Sequence, residues 1–237
     1  NWREIIPEGA DKLDSVSCVD GQLLCKSLKD ARSAMVAYDL EGKKLRDIEL
    51  PGIGTVGGFG GKRSDKITHY AFTSFTTPGA IYRYEVASGK STLWKQPKVD
   101  FDDTPYETTQ VFVKSKDGTK VPMFLVHKKG LKLDGNNATL LYGYGGFNIC
   151  LTPNFSIGRA IWLELGGGYA LANLRRGGEY GAEWHLAGTK LRKQNVFDDF
   201  IACAEWLQKE GYTSPKKLAI MGGSNGGLLV GACMTQR

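Results

Sequence analysis

A serine set among glycines, Gly222-Gly223-Ser224-Asn225-Gly226, is the part of this sequence best suited to chemistry. The apolar run Leu218–Met221 before it reads as a short buried strand, and the small-residue stretch 226–234 after it as a helix. Gly-x-Ser-x-Gly between a strand and a helix is a nucleophile elbow: the serine sits on a strained turn and projects its hydroxyl above the sheet. Side chains two positions either side of that turn would strike its neighbours, which accounts for Gly222 and Gly226. The N–H of Asn225 is then expected to face the space where an oxyanion forms. In a chain with 31 glycines the pattern alone is weak, and its setting gives it force.

A serine nucleophile needs a base. In an α/β-hydrolase the triad runs serine, acid, histidine along the chain. Residues 227–237 contain no Asp, Glu or His, while His69, His127 and His185 all precede Ser224. Either the base comes in an unusual order, with Glu179 and His185 as candidates, or the triad Asp and His are expected beyond Arg237. The start, Asn1-Trp2-Arg3-Glu4, lacks an initiator Met and suits an internal fragment of a longer enzyme.

Two kinds of pattern surround the elbow. Residues 1–98 read as all-β: runs at 23–28, 34–40 and 67–75 alternate between turn signals. The stretch Ala34-Met35-Val36-Ala37-Tyr38-Asp39-Leu40 repeats as Ala80-Ile81-Tyr82-Arg83-Tyr84-Glu85-Val86, and each copy is followed by Gly-Lys. A β repeat of about 40–50 residues matches propeller blades, so this part is expected to be the last blades of a β-propeller.

Residues 99–237 alternate instead. A hairpin over 108–114 and 120–127 turns at Asp117-Gly118. Strands at 138–142, 169–174 and 218–221 then alternate with helices at 157–165 and around Phe197, Phe200, Ile201, Ala204 and Leu207. That order predicts the N-terminal part of an α/β hydrolase domain, with a doubly wound, mostly parallel sheet. Its site should lie beyond the carboxyl ends of the strands, where Gly143 to Phe147 and Ser224 both fall. Tyr144, between glycines in the first of these loops, could offer its hydroxyl as an oxyanion donor.

Composition excludes other classes. With 41% hydrophobic and 24% charged residues the chain is an ordinary globular protein. No apolar run approaches the roughly 20 residues of a membrane span. The net charge of +6 is spread over pairs such as Lys62-Arg63 and Lys216-Lys217, which predicts solvated faces and no nucleic-acid partner. Five scattered cysteines form no Cys-x-x-Cys pair, so no metal is expected and free thiols point to the cytoplasm. Gly143-Tyr144-Gly145-Gly146-Phe147-Asn148 lacks the last glycine of a dinucleotide loop, so no cofactor is expected.

Taken together, these stretches resemble the prolyl oligopeptidase family of serine peptidases. The matching residues are Leu141 to Asn148, Asn173 to Gly181, Asn195 to Phe200, and Gly211-Tyr212-Thr213-Ser214-Pro215-Lys216 leading into the elbow. The resemblance implies a propeller capping the hydrolase domain and cleavage of short proline-containing peptides after proline. It casts Ser224 as nucleophile, with the Tyr144 hydroxyl and the Asn225 N–H as oxyanion hole. Phe147 would line the proline pocket, an apolar face suited to the proline ring. Arg176 stands where the family usually has glycine, and a positive φ there would put the loop in question. Two alternatives stay open: a peptide macrocyclase of the same fold, and a propeller-type binding module with a relic of the elbow.

Overall fold

The computed structural model describes residues 2–237. They divide into two units: residues 2–100 with Thr152–Ser156, and Phe101–Leu151 with Ile157–Arg237.

The first unit consists of two four-stranded antiparallel meanders. One runs β1 (Lys12–Val19), β2 (Gln22–Lys29), β3 (Arg32–Tyr38) and β4 (Lys44–Asp47) in spatial order. The other runs β5 (Thr55–Gly58), β6 (Ile67–Thr73), β7 (Ala80–Glu85) and β8 (Lys90–Lys95). The repeated segments of the sequence are the equivalent strands β3 and β7. Alternation along β6 explains the packing: Thr68, Tyr70 and Phe72 are buried, while Ile67, His69 and Ala71 face out. Phe59 stacks on Tyr70 at 4.4 Å and meets Tyr84 edge-on at 5.5 Å, within a core that also holds Leu24, Met35 and Ala37. Arg46 of β4 donates to Tyr84 Oη at 3.2 Å and to the Val86 carbonyl, tying one meander to the other. Thr152–Ser156 joins this unit by two bonds: Thr55 Oγ1 donates to the Pro153 carbonyl at 2.7 Å, and the Phe155 N–H to Thr73 Oγ1 at 3.2 Å.

The second unit is built on β9 (Tyr106–Lys114), β10 (Lys120–Lys128), β11 (Thr139–Tyr142), β12 (Gly168–Ala172) and β13 (Leu218–Met221). Their spatial order is β13-β11-β12-β10-β9. Strands β13, β11 and β12 are mutually parallel, and the β9–β10 hairpin adds to them antiparallel. The helices are α1 (Ile157–Glu164), α2 (Gly181–Leu186), α3 (Gln194–Lys209) and α4 (Asn225–Gln236). Leu141, Ala170 and Ala172 point at α3 and α4, where Phe200, Cys203, Leu207 and Leu229 complete a fully buried core. Tyr169, beside Ala170 on β12, turns to the opposite face and carries the Arg159 guanidinium of α1 over its ring at 4.4 Å. One sheet therefore holds helices on both faces, the doubly wound arrangement. From β11 the chain crosses to β12 on one side and then returns to β13 on the other, which makes the carboxyl end of β11 a topological switch point. No helix among the described residues is long and apolar enough to cross a membrane.

Candidate active site

Ser224 lies two glycines past the end of β13 and is the N-cap of α4, with φ 54° and ψ −116°. A side chain at positive φ with this ψ lies outside even the left-handed helical region, a conformation that persists only where its surroundings enforce it. Those surroundings are visible. Gly226 N–H donates to the Gly223 carbonyl at 2.7 Å, and Gly227 N–H to the Ser224 carbonyl at 2.8 Å. A Cβ on Gly222 would sit 2.5 Å from the Gly226 carbonyl oxygen, and one on Gly226 would sit 2.8 Å from that of Gly143. Gly223 and Gly227 face open space. The turn thus needs the two glycines at positions −2 and +2 from the serine. Ser224 itself is exposed, and its hydroxyl makes no capping bond to the helix.

The Gly143-Tyr144-Gly145-Gly146 loop follows β11, the strand next to β13. Its glycines are required by packing: a Cβ on Gly143 would meet Phe200 at 2.7 Å, one on Gly145 would meet Val196 at 2.3 Å, and one on Gly146 would meet the Asn225 amide at 2.6 Å. With no room for side chains around it, the loop presents Tyr144, half-buried, at the carboxyl edge of the sheet. The Asn225 side chain donates to the carbonyls of Tyr144 at 2.6 Å and Gly145 at 3.0 Å. From the sequence Asn225 was expected to act through its backbone; its side chain adds a clamp between the elbow and the tyrosine loop.

Phe147 and Asn148 both adopt positive φ, 53° and 58°. Phe147 is held two-thirds exposed, and the Arg176 guanidinium lies over its ring at 5.5 Å. Arg176 has φ 72°, so it takes the left-handed conformation that suits glycine. The loop closes around it nonetheless. The Asn148 N–H donates to the Arg176 carbonyl, and the Arg176 N–H to that of Trp184, both at 3.1 Å.

Glu179 and His185 have other work in this structure. Glu179 is buried, and its Oε1 accepts from the Leu151 N–H at 3.0 Å and from Asn173 Nδ2 at 3.2 Å. Burial raises its pKa, a shift those hydrogen bonds oppose. It therefore stitches the loop after β12 to the one after β11. His185 Nδ1 lies 3.1 Å from the Arg176 carbonyl. His127 is on β10, 3.7 Å from Glu107, and His69 is on β6.

A buried ion pair underlies these loops. Asp199, wholly inaccessible on α3, accepts from Arg175 Nη2 and Ser115 Oγ, each at 2.6 Å, and from the Arg175 N–H at 3.1 Å. Arg175 also donates to Asp117 in the hairpin turn, which lowers the Asp117 pKa to about 2. Nothing in the sequence spacing marks these residues as partners across 24, 58 and 84 positions. Lys193 was likewise unmarked, and its Nζ donates to the Gly145 carbonyl at 2.8 Å.

The chain is similar to known proteins over its whole length. Residues 153–237 match the prolyl oligopeptidase family, and residues 1–97 match the N-terminal β-propeller domain of prolyl oligopeptidases. A prolyl endopeptidase of Elizabethkingia miricola is 52% identical over 236 residues, covering all of this chain and 33% of the relative. The dual function macrocyclase-peptidase POPB of Amanita bisporigera is 39% identical, covering 96% of this chain and 32% of its own. A solved structure from a study of two prolyl endopeptidases superposes with a TM-score of 0.91 at 55% identity, over all of this chain and 35% of that one. Prolyl oligopeptidase B of Galerina marginata, bound to a 25mer macrocyclization substrate, gives 0.89 at 36% identity over 99% of this chain and 33% of that one. The chain spans about a third of the length of the relatives it matches.

Proposed function

Because the chain belongs to the prolyl oligopeptidase family, we propose that it carries the nucleophile and oxyanion hole of a serine endopeptidase acting on short peptides at the carboxyl side of proline. The strained backbone of Ser224 carries this reading, since a serine is forced into that conformation with its hydroxyl uncommitted. In the proposed reaction Ser224 Oγ attacks the carbonyl carbon of the proline residue. Its proton passes to a histidine, which returns one to the departing amine, and an acid orients that histidine. The carbonyl oxygen, turned anionic, takes hydrogen bonds from the Tyr144 hydroxyl and the Asn225 N–H. Water then releases the acyl group and restores the serine. Phe147 offers a ring face to the proline.

The histidine and acid are assigned to segments beyond residue 237, in keeping with the length of the relatives. Residues 1–98 are read as the propeller part and 99–237 as part of the catalytic domain. All five cysteines are free thiols, which supports a reducing, cytoplasmic setting. Product masses from a proline-containing peptide incubated with the full-length protein test the function. Two linear fragments, absent with Ser224→Ala, support the peptidase; a product of cyclised mass would show acyl transfer to an amine instead. An untouched peptide would refute both.

A further inference from the structure

Lys193 stands one residue ahead of α3 with its ammonium turned inward. A lysine near the surface ordinarily extends its ammonium into water. Here Nζ passes over the Phe197 ring at 5.4 Å and donates to the Gly145 carbonyl. The same oxygen accepts from Asn225 Nδ2 at 3.0 Å, so both of its acceptor positions are filled. One donor comes from the start of α3 and the other from the first residue of α4. Between them lies the Gly145–Gly146 peptide, one residue past Tyr144, with Val196 closing the space beside Gly145.

We propose that Lys193 is a positioning residue for Tyr144: its ammonium and the Asn225 amide jointly fix the Gly145 carbonyl and so aim the tyrosine hydroxyl. This rests on Tyr144 being an oxyanion donor. Around Lys193, the loop after β12 presents the Arg176 guanidinium, α3 the Phe197 ring, the tyrosine loop a backbone carbonyl, and α4 the uncharged Asn225 amide. Among the described residues no carboxylate offsets burial and the Arg176 charge, which together bring the Lys193 pKa down to about 8. A bond from the neutral amine is weaker than one from the ammonium.

The test is a double-mutant cycle in the full-length enzyme, measuring kcat and KM on one proline peptide. Lys193→Met should lower kcat about tenfold, the worth of one such bond, with KM nearly unchanged. In a Tyr144→Phe background the same change should lower kcat less than about twofold, since the hydroxyl being aimed is gone. Lys193→Arg should recover most of the activity and flatten any alkaline fall in kcat near pH 8. An equal loss in both backgrounds, or an effect on KM alone, would overturn the proposal. If Lys193→Met does not fold, Lys193→Gln is read in the same cycle. Should Tyr144→Phe by itself leave kcat intact, the oxyanion assignment fails first, a result distinct from any outcome at Lys193.

Discussion

The side-chain amide of Asn225 donates to the Tyr144 carbonyl at 2.6 Å, so the residue next to Ser224 also holds the loop that carries the tyrosine. Removing the amide in Asn225→Ala leaves the Tyr144 carbonyl without this donor and the Gly145 carbonyl with Lys193 alone, and should destabilise the protein by about 1–3 kcal/mol. Asn225→Asp keeps the shape but turns a carboxylate toward those carbonyls. It should be at least as damaging, as read from urea midpoints of the full-length protein. A neutral Asp variant would remove the clamp from the account.

Backbone strain at Ser224 makes an opposite prediction for stability. Ser224→Gly relieves a conformation that strains any residue with a Cβ by about 1–3 kcal/mol, less up to about 1 for the added freedom of the unfolded chain. Ser224→Ala keeps its Cβ on the same backbone and gains nothing. Thermal unfolding should therefore rank glycine above alanine, with neither active.

Asp199 has no exposed surface and meets Arg175, Ser115 and a backbone N–H. Asp199→Asn leaves the Arg175 charge without its buried partner, which should cost about 3–5 kcal/mol. A loss below about 1 kcal/mol in denaturant would show the pair to be solvated, as surface pairs are.

Acid should loosen the same corner through Asp117. Its pKa, lowered from 3.8 to about 2 chiefly by the hydrogen bond from Arg175, lies below the value in the unfolded chain. The folded form therefore holds fewer protons, and the resulting stability is present above about pH 4 and lost as pH falls toward 2. Asp117→Asn should flatten that part of the stability profile. Half its side chain is exposed, so added salt should shrink the difference.

Much of this fold was legible because its signals are local. The Asp117-Gly118 turn and the alternation of β6 are each written within a few residues, and the echo between β3 and β7 is a short pattern recurring 46 positions on. The elbow was legible for the same reason: Gly222 and Gly226 answer to neighbours at most four positions away, or to the adjoining loop. What escaped is contact between side chains far apart in the chain. Ser115 meets Asp199 across 84 positions, and Asn225 meets Tyr144 across 81. Neither pair follows a helical or strand period, and only the order of strands in the sheet brings them together. Arg176 differs in kind. Its positive φ was a conditional reading, and the structure shows an arginine accepting the strain while its guanidinium covers Phe147.

The central claim is that the Ser224 hydroxyl is held out as a nucleophile. The most direct measurement is to treat the full-length protein with a fluorophosphonate and locate the adduct by peptide mass mapping. The account predicts one phosphonylated site, at Ser224, with turnover of a proline peptide lost in step and no label on Ser224→Ala. A protein that cleaves the peptide while Ser224 stays unlabelled, or whose Ser224→Ala variant keeps its turnover, would contradict it.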